Sequence, residues 1–345
     1  MRYLAGLICA LALGVMPVIG CGDEEATGGS GGMGGEGGMG GSNSAVFPCT
    51  EQGIRDAIAE GGGPHTFDCG GPQTVVTTET ILIDKDVTLN GEGNLTVDGN
   101  ASDTGEGHTV FTIAFSDIVV ELRGIGVTGG GCPPPGPMSA CFATGILVNN
   151  LATTAQATLT LTDCIVWNNE GDGIYQPEGG SLTLLNTTVS DSGFHNVNNR
   201  GVLTVINSTI SNGGAAGPSA FAGGIFNTGQ MTMLNSTLSG TEGVGIFTEG
   251  VTGTATLTNC TVSGNTGASI QATEGATVTL ASTVVDGDCS SDTASQVLSN
   301  GYNIESPGDT CGLDQTSDQP GVTEAELNLG PLTDNVGPTL THKPG

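Results

Sequence analysis

Short runs in which apolar and polar residues alternate recur along the chain. LTLTDCIV (159–166), LTLLNTTV (182–189), LTVINSTI (203–210), MTMLNSTL (231–238) and ATLTNCTV (255–262) are copies of one phrase. A looser copy is VTLASTVV (278–285), and a worn one is VELRGIGV (120–127). Their sixth positions run from Cys164 through Thr187, Ser208, Ser236 and Cys260 to Thr283 in steps of 21 to 28 residues, a period that belongs to stacked repeats. Apolar residues fall at every second position, and Val, Thr and Ile abound, which predicts strands. A helical repeat would space them by three and four and would avoid so much Gly, Thr and Asn. A second apolar element precedes each phrase, at Ile146, Ile174, Val197, Ile225, Ile246 and Ile270. Each repeat therefore holds about three short strands, and three parallel strands per turn stack into an all-β, parallel β-helix.

The register assigns inward columns. Leu159, Leu182, Leu203, Met231, Ala255 and Val278 form one; Leu161, Leu184, Val205, Met233, Leu257 and Leu280 a second; Val166, Val189, Ile210, Leu238, Val262 and Val285 a third. Asn186, Asn207, Asn235 and Asn259, with Asp163 before them, stand where the chain must bend. Asn tolerates positive φ, so the column reads as a left-handed bend with amides stacked from rung to rung. Each Asn is also followed by x-Ser/Thr, but that match follows from the repeat itself.

The rest of the chain departs from this pattern. Residues 1–20 hold a basic Arg2 and an apolar run interrupted by Gly14 and Pro17, too short to span a bilayer comfortably and suited to a signal peptide. The run ends Val18-Ile19-Gly20-Cys21, which resembles a bacterial lipobox and makes Cys21 the expected lipidation site. Residues 21–46 are a Gly-rich stretch that reads as a disordered tether. The β-helix domain then occupies 47–345. Within it, Ile54, Ala57 and Ile58 have helical spacing, Thr50 can cap the start, and glycines stop the helix near 60. A solenoid end exposes rung interior, so a helix at about 50–60 serves as its N-terminal cap. From Asp288 the period fades, and about 288–345 reads as an irregular C-terminal cap.

Composition narrows the setting. The formal net charge is −29, with only 6 Lys and Arg. Such a surface repels nucleic acid and anionic lipid heads, which excludes nucleic acid as a partner. No cofactor and no metal-spaced His/Cys set is apparent, although acidic loops leave calcium open. Cys49 and Cys69 flank the cap, Cys132 and Cys141 a Pro-rich loop, and Cys289 and Cys311 the irregular C-terminal region; an exported chain permits all three disulfides. Cys164 and Cys260 share an inward column four rungs apart, roughly 19 Å at a rung spacing of about 4.8 Å, which is beyond disulfide reach. They are expected to be buried thiols.

PCTEQGIRDAIAEGGG, HTFDCGG, ILIDKDVTLNGEG, the repeats, SNGYNI and LGPLTDNVGPTLTH together resemble bacterial surface proteins of the right-handed β-helix class, the choice-of-anchor and polymorphic outer-membrane-protein-like families. The resemblance covers about 49–342. It implies a right-handed, pectin-lyase-like fold at a cell surface, mostly without assigned activity. Similar proteins run on past the Thr-His segment, which implies either an incomplete final cap here or an anchoring role moved to Cys21.

Candidate chemistry is sparse. The outward middle column is Glu121, Thr160, Thr183, Thr204, Thr232, Thr256 and Thr279, and threonine abstracts no proton at neutral pH. The spacing from the Val of one strand to the next Ile is 8 in most repeats, but two insertions, 129–144 and 213–222, break it on one edge. Between them lie WNNEGDG (167–173) and SDSGFHN (190–196), which gather Trp167, Glu170, Asp172, Asp191 and His195. An aromatic face beside carboxylates suits a sugar. The sequence thus reads as a lipid-anchored β-helix at the bacterial outer membrane or cell surface, with a non-catalytic adhesive, structural or glycan-binding role and no catalytic residue assigned. The alternative is a polysaccharide lyase or glycoside hydrolase on the same fold.

Overall fold

The computed structural model describes residues 44–101, 107–113, 117–131, 144–148, 157–214 and 223–345. The leader, Cys21, most of the tether and the Cys132 and Cys141 loop lie outside the described residues.

Each rung contributes three strands. In the rung that opens at Ser181 these are Ser181–Leu185 on a first wall, Thr188–Ser190 on a second and His195–Asn199 on a third. Leu182 lies beside Leu159 and Leu203, and Leu184 beside Leu161 and Val205, all in parallel register. Val189 stands between Val166 and Ile210 in the same way. Among the described residues the first and second walls form one 19-stranded sheet and the third wall a 9-stranded sheet. The inward columns are buried throughout: Leu159, Leu182, Leu184, Val189 and Val197 are fully enclosed and belong to one continuous core. The predicted register is therefore the observed one. Alternation fixes it, because a slip of one residue would turn every apolar side chain out to water.

The bend between the first and second walls is left-handed. Asn186, Asn207, Asn235 and Asn259 have φ of 51°, 49°, 48° and 54°, and Asp163 has 53°. The side chains run a ladder: Asn186 Nδ2 donates to Asp163 Oδ1 at 3.0 Å, Asn207 Nδ2 to Asn186 Oδ1 at 3.4 Å, and Asn259 Nδ2 to Asn235 Oδ1 at 3.2 Å. The next residue points inward. There the Thr187 and Ser208 N–H groups donate to the hydroxyls of Ser208 and Ser236, both at 3.0 Å. Cys164 and Cys260 occupy this column as buried free thiols, and burial pushes both up to about 11.

The ends are built differently. The helix Glu51–Glu60 starts on Thr50, whose side chain accepts from Gly53 N, and buries Ile54, Ala57 and Ile58. The Cys49–Cys69 disulfide ties the residue before it to the following strand. At the other end the sequence period fades, yet Cys289–Ser291, Gln296–Ser299 and Ile304–Ser306 still pair in parallel with the rung before them. The phrase is unrecognisable there because the strands carry polar residues where earlier rungs carry aliphatics. A second disulfide, Cys289–Cys311, closes this end. The chain then turns back: strands Leu329–Thr333 and Thr341–Pro344 form an antiparallel hairpin lying against the second wall. There Thr339 Oγ1 donates to Asn207 O at 3.2 Å, and His342 Nε2 meets Ser239 Oγ at 2.9 Å.

Candidate functional site

The third wall places alternate residues inward and outward. Ile174, Val197, Ile225 and Ile246 face the core, so Tyr175, Asn198, Phe226 and Phe247, which pair with one another in register, face out. Outward positions on the first wall are mostly threonine. On the third wall they are aromatic or amide, and Tyr175, Asn198 and Phe247 are nonetheless buried.

The polar centre of this surface is a buried cluster. Asp172 sits in the turn before Ile174. Its Oδ1 accepts from His195 N at 3.1 Å and faces His195 Nδ1 at 2.9 Å. Its Oδ2 accepts from Asn198 Nδ2 at 3.0 Å. All three side chains are buried. A carboxylate is tolerated in such a place only when its lone pairs are satisfied, and three donors from the adjacent rung satisfy it. With Nδ1–H turned to the carboxylate, the imidazole has a fixed tautomer and orientation. Among the described residues the Oδ1 of Asn198 has no hydrogen-bond partner. Rings flank the histidine: Phe194 at 4.1 Å between centroids and Phe226 at 5.3 Å. Phe226 continues to Phe247 at 5.5 Å. Phe194 is 39% exposed and is the open side of the cluster. Arg200 stands over the Tyr175 ring, 5.6 Å from its centroid.

Of the five residues singled out in the sequence, the fold brings Asp172 and His195 together. Trp167 is elsewhere. It ends a second-wall strand in register with Thr128 and Ser190, and its ring lies on Gly126, where an added Cβ would come within 2.9 Å of Cζ3. The glycine leaves a flat seat for the indole, so Trp167 is a packing residue on a different wall. Asp191 belongs to a second left-handed bend, with φ 54° between Asn168 at 51° and Asn212 at 55°, and its Oδ1 accepts from Asn212 Nδ2 at 3.2 Å. Glu170 is exposed beside Gly131. The cores of both insertions lie outside the described residues.

Asn198, Phe194 and Phe226 were missed. The signal that finds Asn198 and Phe226 is the residue after each third-wall aliphatic: Leu147, Tyr175, Asn198, Phe226, Phe247. Read as a column, it is the outward face of that wall. Phe194, in the turn before the strand, has no such column. Among the described residues no group of three or more His, Cys, Asp or Glu is placed to hold a metal ion.

The family described as "Right handed beta helix region" matches residues 144–310. No curated protein matches the sequence. Among solved structures, pectate lyase Pel9A is similar at 13% identity over 79% of this chain and 82% of that one, with a TM-score of 0.42. The A-module of Azotobacter vinelandii mannuronan C-5 epimerase AlgE4 is similar at 15% identity over 74% and 76%, with a TM-score of 0.39. The Dettilon tailspike protein is similar at 13% identity over 80% and 68%, with a TM-score of 0.33. Three parallel strands per rung, together with the family match over the central rungs, make this chain a right-handed parallel β-helix.

Proposed function

We propose that this protein is an exported, lipid-anchored β-helix that binds extracellular glycan on the outer face of its third wall, without cleaving it. The observation that carries the reading is the Asp172–His195–Asn198 cluster set between Phe194 and Phe226. A partly exposed ring beside fixed hydrogen-bonding groups is what a sugar needs: its C–H face stacks on the ring and its hydroxyls meet the polar atoms. Neutral and acidic oligosaccharides on an array test it. Phe194→Ala should weaken the wild-type signal about ten-fold, equivalent to roughly 1.4 kcal/mol, and Trp167→Ala should leave it unchanged. Loss in the Trp167 variant alone would move the site to the second wall, and silence of the wild type would end the glycan reading.

The anchor is tested separately. The lipobox-like stretch before Cys21 supports lipidation there, and the Gly-rich segment after it supports a domain held off the membrane. Cys21→Ser should shift the exported protein from the membrane to the soluble fraction. Retention with the leader removed would rule the anchor out.

One observation favours the enzymatic alternative. The 2.9 Å contact from Asp172 to His195 Nδ1 is the orienting half of a general acid–base pair. Release of new reducing ends or unsaturated sugars by the wild type, abolished in His195→Asn, would establish that reading in place of pure binding.

A further inference from the structure

We infer that the first wall is the contact face of a weak two-fold dimer, and that the partner it fits is a second copy of this chain. The inference stands apart from the glycan reading, which concerns the third wall.

The first ground is that this wall is open. On the second wall Thr209 and Ser239 are held under the C-terminal hairpin, and on the third Tyr175, Asn198 and Phe247 are buried. On the first wall Val202 is 46% exposed, and Gln230, Thr232, Thr254 and Thr256 are exposed. The other outward side chains from Thr158 to Ala281 are half-buried. Parallel sheets are normally covered on both faces, and here the outer face presents only hydroxyls, methyls and one amide.

The second ground is symmetry. The outward column beside the Asn bend runs Thr162, Leu185, Ile206, Leu234, Thr258, which is the same from either end. The middle column is threonine throughout, from Thr160 to Thr256. The third runs Thr158, Ser181, Val202, Gln230, Thr254, polar on both sides of a central valine. All three columns centre on the strand Val202–Ile206. A two-fold axis along that strand, in the plane between two copies, sets Ile206 on Ile206 and Leu185 of one protomer against Leu234 of its partner. Threonine then meets threonine. One patch that complements itself is what a two-fold contact requires, and this one is apolar at its centre and polar at its edge, as protein interfaces are.

The third ground is local charge and size. None of the first-wall strands from Thr158–Thr162 to Thr277–Ala281 holds a charged residue. The bends leading into them hold Glu178, Glu249 and Glu274 against Arg200. Two copies therefore meet without acid on acid across the wall, while its rim repels weakly. About the Val202–Ile206 axis the overlap runs from the strand at 119–123, whose Glu121 and Arg123 pair at 2.7 Å, to Thr277–Ala281. Rungs about 4.8 Å apart and five residues of about 3.3 Å make this roughly 29 by 16 Å, or roughly 460 Å² on each protomer. A stable complex buries about 800 Å² per partner, so the dimer is a weak and reversible one.

The test is sedimentation equilibrium of the full-length chain carrying Cys21→Ser, which keeps any lipid out of the measurement. A monomer–dimer equilibrium is expected, with the dimer fraction rising between about 10 µM and about 1 mM. Ile206→Glu and Val202→Glu should each weaken association ten-fold or more, with unchanged far-UV circular dichroism because both side chains face out. Gln271→Glu makes a charge change on the third wall and should leave association as it is. Raising NaCl from about 50 to about 500 mM should strengthen the dimer, since the acids at the rim are screened. A monomer at every concentration overturns the inference. So does a dimer that neither first-wall variant weakens, and so does one that dissociates in salt. Co-sedimentation of a monomer with insoluble cellulose or chitin, lost in Ile206→Glu, would give this face to a polysaccharide surface instead.

Discussion

A single residue type decides the bend between the first and second walls. With φ near 50°, Asn186, Asn207, Asn235 and Asn259 occupy a region where most L-residues are disfavoured by about 1–2 kcal/mol. Asn escapes part of that cost because its short polar side chain bonds locally, and here it also bonds to the next rung. Two contributions are thus combined at each position, and Asn235 separates them. Asn235→Gly keeps the backbone freedom and loses the amide bond; Asn235→Ala loses both. Urea denaturation should show Asn235→Ala the less stable of the two by about 1 kcal/mol. Equal destabilisation would mean that the amide ladder, and not the bend, sets the preference. This column was legible in the sequence because every rung presents the same environment to the same position. Trp167 was not. Its place depends on what the neighbouring rung lacks at Gly126, and a residue that occurs once carries no repeat to place it.

Among the elements, the first and second walls could be read from the chain and the third could be read only in half. Its inward aliphatics recur and were found. Its outward residues change from Tyr to Asn to Phe between rungs, so they look like noise beside the threonines of the first wall, although the candidate site lies there. Variation on one column of an otherwise regular repeat is itself a sign of a recognition surface. The returning hairpin was equally hidden, since nothing in Thr339, Leu340 or His342 announces contacts more than a hundred residues away. Thr209 Oγ1 donates to Leu340 O at 2.5 Å, and the imidazole of His342 spans from Gly330 O at 2.7 Å to Ser239 Oγ at 2.9 Å. These are a few polar contacts on an exposed element, so docking should be of low local stability while the rungs beneath hold. His342→Ala is expected to speed hydrogen exchange across 329–344 several-fold and to leave exchange in the buried first-wall strands unchanged. Faster exchange in both would show that the hairpin supports the stack and does not merely rest on it.

For the molecule as a whole, stability is a sum over rungs and their interfaces, with no single centre. Each rung buries its aliphatics against two neighbours. The N-terminal end is closed by the helix and Cys49–Cys69, and the C-terminal end is tied by Cys289–Cys311. The acids are set on this frame unevenly. First-wall strands from Thr158–Thr162 to Thr277–Ala281 contain no charged residue, so the acids of the described residues are crowded onto the rest of the surface. Compact folding concentrates that charge, and the repulsion opposes the folded state. Salt therefore acts on two terms of opposite sign. It weakens attractive pairs such as Arg55–Glu51 at 2.6 Å and Arg123–Glu121 at 2.7 Å, and it screens the repulsion. Partly exposed pairs of this kind contribute about 0–1 kcal/mol each, and with 6 Lys and Arg against 35 Asp and Glu there are few to lose. Screening of repulsion should win. The melting temperature at pH 7 is expected to rise by several degrees as NaCl goes from about 50 to about 500 mM, with sodium and potassium chlorides equivalent. A rise with calcium chloride far beyond its ionic strength would instead reveal a specific cation site, and a fall with sodium chloride would mean that the few attractive pairs outweigh the net charge.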